Sequence, residues 1–309
     1  MNNTFTARGV TLFNGKTLLF TGILSIAYLL LSWALVGFKT DQLVLVAIFN
    51  TFYYVSWGTR KFIQGFSIFI IFWVLFDYMK AFPNFHYNEV HIKSLYDAEM
   101  HWFGIREGDK LITPNEFWLI HQNRWLDIMS GAFYLTWVPV PLLFAGILFF
   151  RNRVQFFHFS LTFLLVNLIG FVIYYVYPAA PPWYVQLHGF DFYPATRGNT
   201  AGLARFDAFF HVDIFQSLYT KSSNVFAAMP SLHSAYPLIV LVYGWRNKMG
   251  WLNILFAVIV AGIWFAAVYT SHHYVLDVIA GIICAVAGIL LYNSVFRKEV
   301  ERRVLKANT

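Results

Sequence analysis

Charge is what this chain has least of. Only 12% of its 309 residues are Asp, Glu, Lys or Arg, whereas soluble domains carry about 25%. So few charges cannot clothe a water-facing surface, which excludes an ordinary soluble domain. Cysteine is almost absent too: Cys284 stands alone in an apolar run, so no intramolecular disulfide can form. The two long hydrophilic stretches, about 80–125 and 178–230, contain no Asn-x-Ser/Thr site. With the compact length, this favours a bacterial inner membrane over a Golgi-type membrane. Internal repeats, low-complexity segments and interdomain linkers are also lacking. The formal net charge of +7 does not indicate nucleic-acid binding, because the basic residues sit in short clusters between apolar spans and form no continuous stripe.

What fills the chain is apolar: 59% hydrophobic and 20% aromatic residues. A helix needs roughly 20 apolar residues to cross the hydrocarbon core. Eight runs approach that length, at about 17–38, 42–57, 61–79, 126–150, 156–177, 228–245, 251–270 and 274–295. The expected fold is therefore an all-α, polytopic membrane helix bundle of about eight transmembrane helices. The run from Thr17 to Phe38 is too long for a signal-peptide core and lacks a small-residue cleavage site, so it reads as a first span. The second run is short and carries Asn50, which makes it a candidate re-entrant segment. The pattern predicts N-terminal accessory helices over 1–60, a six-helix core over 61–296 and a basic cytoplasmic tail over 297–309.

Orientation follows from the Lys/Arg bias. Eight spans put Arg8, Lys16, Arg60, Lys61, Arg151, Arg153, Arg246, Lys248, Arg297, Lys298, Arg302, Arg303 and Lys306 on one side, with only Glu299 and Glu301 as acids. That side is expected to be cytoplasmic. The two long loops, rich in Trp, Tyr and Phe, then face the exterior or a lumen.

Two segments carry chemistry, Ala228-Met229-Pro230-Ser231-Leu232-His233-Ser234 and Ser271-His272-His273-Tyr274-Val275-Leu276-Asp277. The first opens the sixth span and the second joins the seventh to the eighth, so both lie at the same, non-cytoplasmic membrane face. The run Tyr177-Pro178-Ala179-Ala180-Pro181-Pro182-Trp183-Tyr184 ends the fifth span there too. Asp277 lies four positions after His273, one helical turn. A carboxylate so placed fixes the imidazole tautomer and leaves the other ring nitrogen as a nucleophile. An ionisable residue inside an apolar span needs a partner and marks a functional site by default. The plainer reading is that Asp277 and a histidine cap the helix start, and His233 alone would read as a cap beside Ser231. As a catalytic group, His233 is the general acid/base. A zinc site built from His272, His273, Asp277 and His233 is a further reading, although adjacent helical histidines point about 100° apart.

At these residues the chain resembles the type 2 phosphatidic acid phosphatase superfamily, whose Pro-Ser-x-His and His-x-x-x-Asp motifs match Pro230 to His233 and His273 to Asp277. Within it, the chain looks most like the inositol phosphorylceramide synthases. The supporting segments are Trp125-Leu126-Asp127-Ile128 through Tyr134-Leu135 to Pro139, Ala180-Pro181-Pro182-Trp183-Tyr184, Ala201-Gly202-Leu203-Ala204-Arg205-Phe206-Asp207 and Ser271-His272-His273-Tyr274. The resemblance covers about 60–295. It implies phosphoinositol transfer from phosphatidylinositol to a ceramide-like lipid through a phosphohistidine, with His273 attacking, Asp277 orienting it and His233 moving protons. It implies no cofactor and, since a side chain is the nucleophile, no metal. One departure is informative. The superfamily's phosphatases usually carry a Lys-x6-Arg-Pro motif and an Arg six residues before the second histidine. Here that position is Ala267 and the other motif is missing. A dianionic monoester needs several cations and a monoanionic diester needs fewer, so the loss favours a lipid phosphodiester. Arg205 is the first choice for a remaining cation, with Arg197, Lys221 and Arg124 as alternatives. Asp207 is expected to meet a polyol headgroup or hold Arg205. Trp183, Tyr184, Ser231 and His272 complete the expected substrate-binding set, against the plainer reading of the aromatics as interface anchors. A lipid or isoprenoid phosphate phosphatase and a non-catalytic lipid transporter are the alternative readings.

Overall fold

A computed structural model describes residues 12–220 and 224–308, and the chain divides into two compact units, Met1–Ala81 and Phe82–Thr309. Lys221 and Arg8 lie outside the described residues. The first unit holds helices α1 (Gly15–Val36), α2 (Thr40–Val55) and α3 (Trp57–Tyr78). Polar caps start two of them: Asn14 accepts from the Thr17 N–H and Ser56 from the Thr59 N–H. Asn50 is explained by a partner, since its amide donates to Ser25 Oγ of α1 at 3.0 Å, a polar tie between apolar helices. Arg60 is buried, its guanidinium 4.3 Å over the Tyr53 ring and 4.7 Å over Trp57. The third apolar helix thus groups with the first two, and the division falls after residue 81.

The second unit contains α4 (Lys93–Phe103), a two-stranded antiparallel ribbon of β1 (Ile105–Glu107) and β2 (Lys110–Ile112), α5 (Pro114–Ile120), α6 (Arg124–Tyr134), α7 (Pro139–Arg151), α8 (Arg153–Val176), α9 (Pro182–His188), α10 (Ala204–Phe210), α11 (Ile214–Tyr219), α12 (Leu232–Arg246), α13 (Leu252–Tyr269), α14 (Val275–Leu291) and α15 (Arg297–Asn308). A π-helical turn, Tyr292–Phe296, joins the last two. Among the described residues six helical stretches are long and apolar enough to cross a membrane: Gly15–Val36, Trp57–Ala81, Arg124–Arg151, Arg153–Val176, Leu252–Tyr269 and Val275–Lys306. The other two expected spans are α2, with 16 residues, and α12, with 15. At 1.5 Å per residue they reach about 24 and 22 Å, short of a core about 30 Å thick. α12 is short because its helical ladder begins only after the Pro-Ser pair at 230–231, where Ser231 caps it by accepting the Ser234 N–H.

Helix α14 shows how the unit is packed. Asp277, Val278, Gly281, Cys284, Ala285, Gly288 and Ile289 are buried, a stripe at helical spacing. Ile279, Ile283, Val286 and Leu290 are exposed on the other side, as suits lipid. Small residues in the stripe let neighbours approach closely. A Cβ on Gly281 would lie 2.1 Å from the Ser231 carbonyl oxygen, and one on Gly288 2.4 Å from Val166 of α8. The start of α12 therefore rests directly on α14.

The loop helix α4 grips the same end of α14. Glu99 is fully buried and accepts the Val275 and Leu276 N–H groups at 2.9 and 3.1 Å. These are orphan donors of the helix start, where a carboxylate is favoured. Burial nevertheless dominates and pushes the Glu99 carboxyl up to about 7.

Two outcomes follow. Gly281→Ala forces α12 away from α14 and is expected to cost about 1–3 kcal/mol, the range for overpacking; unchanged thermal denaturation would refute the close packing. Glu99 releases its proton at higher pH folded than unfolded, so its contribution to stability falls as pH rises from about 4.5 to about 7. Denaturation of wild type and Glu99→Gln across that window checks this: the glutamine variant should lose that part of the slope, and parallel curves would contradict it.

Candidate active site

Three loop segments meet at one end of the second unit, built on backbone hydrogen bonds. Ala179, in the Pro-Ala-Ala-Pro-Pro run, bridges both His91 and Ala227. Its N–H donates to the Phe226 carbonyl at 2.9 Å and its own carbonyl accepts the Ala228 N–H at 3.2 Å. This anchors the residues just before the Met229–Pro230 peptide, which is cis. Asn84 fixes the arrangement from below, donating to the carbonyls of Tyr174 and Phe226, both at 2.8 Å. The His-His segment is a tight turn. Ser271 takes a φ of +59°, uncommon for a residue other than glycine. The Ala267 carbonyl accepts both the His272 and His273 N–H groups. Trp183 donates its N–H to the Ser271 carbonyl at 3.0 Å, and the buried Asn115 amide donates to the carbonyls of Val268 and His273 at 2.8 and 2.9 Å.

The result is a line of three groups. His233 Nδ1 lies 3.2 Å from His273 Nε2, and His273 Nδ1 lies 3.6 Å from Asp277 Oδ2. The Asp277 side chain has no exposure. Its Oδ2 accepts the Tyr274 N–H at 2.8 Å, and its main-chain carbonyl accepts the Ser231 N–H at 2.9 Å. The last contact ties the Pro-Ser-x-His segment to the His-x-x-x-Asp helix. The 3.6 Å separation exceeds a hydrogen bond; catalytic contacts commonly tighten only when substrate binds. Asp277 favours the proton on Nδ1 of His273, which leaves the Nε2 lone pair facing His233 Nδ1. Burial pushes the His273 imidazole down to about 4 and lowers His272 as well, which favours the neutral ring.

An aromatic wall flanks the His233 end of the line and His272. The Trp137 ring meets His233 edge-on at 4.6 Å, Tyr134 lies 5.3 Å from His233 and 5.4 Å from His272, and Tyr219 lies 4.5 Å from His272. His272 itself turns from the line and bonds Thr270 Oγ1 through Nδ1 at 3.0 Å. Adjacent in sequence, the two histidines thus face different partners. Among the described residues no three His, Cys, Asp or Glu side chains form a metal-holding group.

The remaining expected residues have defined places. Arg205 Nε donates to Asp127 Oδ1 at 2.5 Å, the same oxygen accepts the Tyr269 hydroxyl at 2.8 Å, and the guanidinium lies 5.2 Å from the Tyr269 ring centroid. Its Nη2 is buried with no hydrogen-bond partner among the described residues. A Cβ on Gly202 would touch that nitrogen at 2.9 Å and the Thr270 Cα at 2.8 Å. Arg205 is thus wedged against the turn that carries the histidines. Asp207 does not hold it: both Asp207 oxygens accept main-chain N–H groups, from Phe215 and Gln216, and cap the start of α11. Tyr184 is fully buried, its hydroxyl donating to the Asp191 carbonyl and accepting the Tyr193 N–H. Trp183 packs beside it with Ile92, Ala180 and Phe226. Ser231 is buried, and its hydroxyl accepts from the Ser234 N–H and hydroxyl. Of the alternative cations, Arg124 lies over the Phe209 ring at 4.5 Å and Arg197 is exposed. Sequence reasoning assigned no role to Asp127, Asn115, Glu99 or the Tyr134/Trp137/Tyr219 wall. An acid opening an apolar span, as Asp127 does, was the available signal.

Comparison with known proteins identifies the family. A family model described as the PAP2 superfamily matches residues 112–291, which include both histidines, Asp277, Arg205 and Asp127. The chain is 44% identical over 267 residues to the phosphoinositol dihydroceramide synthase of Bacteroides thetaiotaomicron, covering 86% of this chain and 88% of that one. It is 35% identical over 162 residues to the inositol phosphorylceramide synthase of Candida albicans, covering 48% of this chain and 33% of that protein. Against the inositol phosphorylceramide synthase catalytic subunit of Saccharomyces cerevisiae the identity is 29% over 248 residues, covering 76% and 59%. No solved structure matches. The resemblance drawn from the two histidine motifs therefore holds, and the chain belongs to the PAP2 superfamily.

Proposed function

We propose that this protein moves phosphoinositol from phosphatidylinositol to the primary hydroxyl of a ceramide or dihydroceramide and releases diacylglycerol. The observation that carries the reading is the His233–His273–Asp277 line. It occurs in a chain 44% identical to a phosphoinositol dihydroceramide synthase over most of both lengths.

The chemistry divides into two displacements at phosphorus. His273 Nε2 attacks and forms a P–N bond as the P–O bond to diacylglycerol breaks. The leaving oxygen takes the proton that His233 carries into this step. Asp277 holds the Nδ1–H and supports the positive charge that develops on the His273 ring. His233, now neutral, removes the proton from the ceramide hydroxyl; that oxygen forms the new P–O bond, the P–N bond breaks, and His273 and protonated His233 are restored. The aromatic wall of Tyr134, Trp137 and Tyr219 keeps water scarce, which favours transfer over hydrolysis.

Charge complementarity supports a diester donor. Position 267 is a fully buried alanine, packed near Leu203, Phe206 and Phe215, so no guanidinium is supplied there. Arg205 provides one cation beside the turn, oriented by Asp127, enough for the single charge of a phosphodiester. The basic residues Arg151, Arg153, Arg246 and Lys248 lie at or beyond the opposite ends of the spans, and this positive-inside bias supports a reading with the histidines on the non-cytoplasmic face of a bacterial membrane.

Purified protein with labelled phosphatidylinositol and a dihydroceramide is expected to yield labelled phosphoinositol dihydroceramide, identified by mass. Absence of product with every ceramide and dihydroceramide would sink the proposal. In the same assay His273→Ala should abolish transfer and His233→Ala should lower it by about 10²–10⁴; residual transfer within tenfold of wild type in His273→Ala would remove His273 as the nucleophile. Arg205→Gln should lower kcat by about 10²–10³. Asp127→Asn should show a smaller fall, because the guanidinium remains but loses its anchor. Equal kcat for wild type and Arg205→Gln would transfer the role to another cation.

A further inference from the structure

A second polar site lies at the end of the spans remote from the histidines. α12 carries His233 in its first turn and Arg246 in its last; α14 carries Asp277 in its first turn and leads to Asn293 and Arg297. Between these ends and the start of α8 is a cavity of about 230 Å³ lined by Gln155, His158, Tyr243, Arg246, Asn293 and Arg297. Two guanidiniums and two amides face it, and no carboxylate is among the lining residues.

The charges there are unbalanced. Glu299 pairs with Arg302 and Arg303. Glu301 accepts from Arg297 Nε at 3.1 Å, which leaves the two Nη groups of that fork as donors. Arg246 has no carboxylate partner among the described residues; it donates through Nη1 to Asn293 Oδ1 at 3.2 Å. The floor is built and buried: His158, within α8, bonds the Tyr292 hydroxyl through Nδ1 at 2.9 Å and Glu301 through Nε2 at 3.2 Å. The Tyr243 hydroxyl donates to the His158 carbonyl at 3.1 Å. The π-helical turn Tyr292–Phe296 brings Asn293 to the cavity, and such turns recur at functional sites.

Paired arginine forks bind the oxygens of phosphate, and basic pockets between membrane helices at the cytoplasmic surface hold phospholipid head groups. We propose that this cavity is a second anion site that binds one phosphate group, either that of an anionic phospholipid in the facing leaflet or a soluble phosphate. Bound there, the phosphate bridges α8, α12 and the α14–α15 junction, and so holds together helices whose other ends carry the catalytic residues. The site is independent of the transfer reaction, and its test reads stability rather than turnover.

The full chain in nanodiscs of phosphatidylcholine alone, of phosphatidylcholine doped with phosphatidylglycerol, and of phosphatidylcholine with added inorganic phosphate provides the comparison. The melting temperature should rise by roughly 5 °C at a hundredfold excess over Kd in one of the last two arms, and the arm that responds names the source. Arg246→Gln with Arg297→Gln should erase the rise. Arg205→Gln, at the catalytic end, should keep it. If the double glutamine variant does not fold, Arg246→Gln alone, an exposed position outside any ion pair, should lose most of the rise. No rise in either arm, or an equal rise in the glutamine variants, overturns the proposal.

Discussion

A carboxylate with no solvent exposure, in the first turn of an apolar helix, is the constraint on which the rest of this site depends. An unpartnered charge there would cost several kcal/mol. Asp277 is accommodated by the surrounding chain: Tyr274 donates its N–H, His273 stands 3.6 Å away, and the main-chain carbonyl of Asp277 binds the Ser231 N–H. Glu99 takes the neighbouring orphan N–H groups, and Gly281 lets the Ser231 carbonyl rest on the helix. Accommodating one acid thus brings together α4, the Pro-Ser-x-His segment and the His-His turn. The 3.2 Å approach of the two imidazoles follows from that packing.

The relation between the two histidine motifs was legible in the sequence because it rests on local spacing and on helix direction. A four-residue interval sets His273 above Asp277, and two spans running opposite ways bring His233 to the same end. The sequence also marked the 42–57 run as short and interrupted by Asn50, and α2 has 16 residues, whereas the run at 228–245 gave no sign of the late start of α12. A run of apolar residues specifies burial in lipid or protein, but not where the helical ladder starts, and α12 starts only after Pro230 and Ser231. Asp207 was read from its neighbour in sequence, yet residues two apart on a helix face different ways. Arg205 finds Asp127 instead, 78 residues away. Such long-range pairs, like Asn115 with the His273 carbonyl, leave no periodic signal.

The same geometry accounts for how a superfamily scaffold suits a diester. Where the superfamily's phosphatases usually place an arginine, this chain has a buried Ala267, whose main-chain carbonyl receives the N–H groups of both turn histidines. Positive charge is left to Arg205, held at the edge of the turn by an acid and a tyrosine. Tyr184, which resembles a headgroup ligand in sequence, is used internally to shape the loop over 184–193.

The central claim is that His273 becomes covalently attached to the transferred group. The direct measurement is a single turnover with phosphatidylinositol and no acceptor lipid, quenched in alkali and analysed by peptide mass. The account predicts a phosphoinositol adduct on His273 that disappears when dihydroceramide is added before the quench. An adduct on another residue, or transfer proceeding with no adduct on the protein at any time, would contradict it.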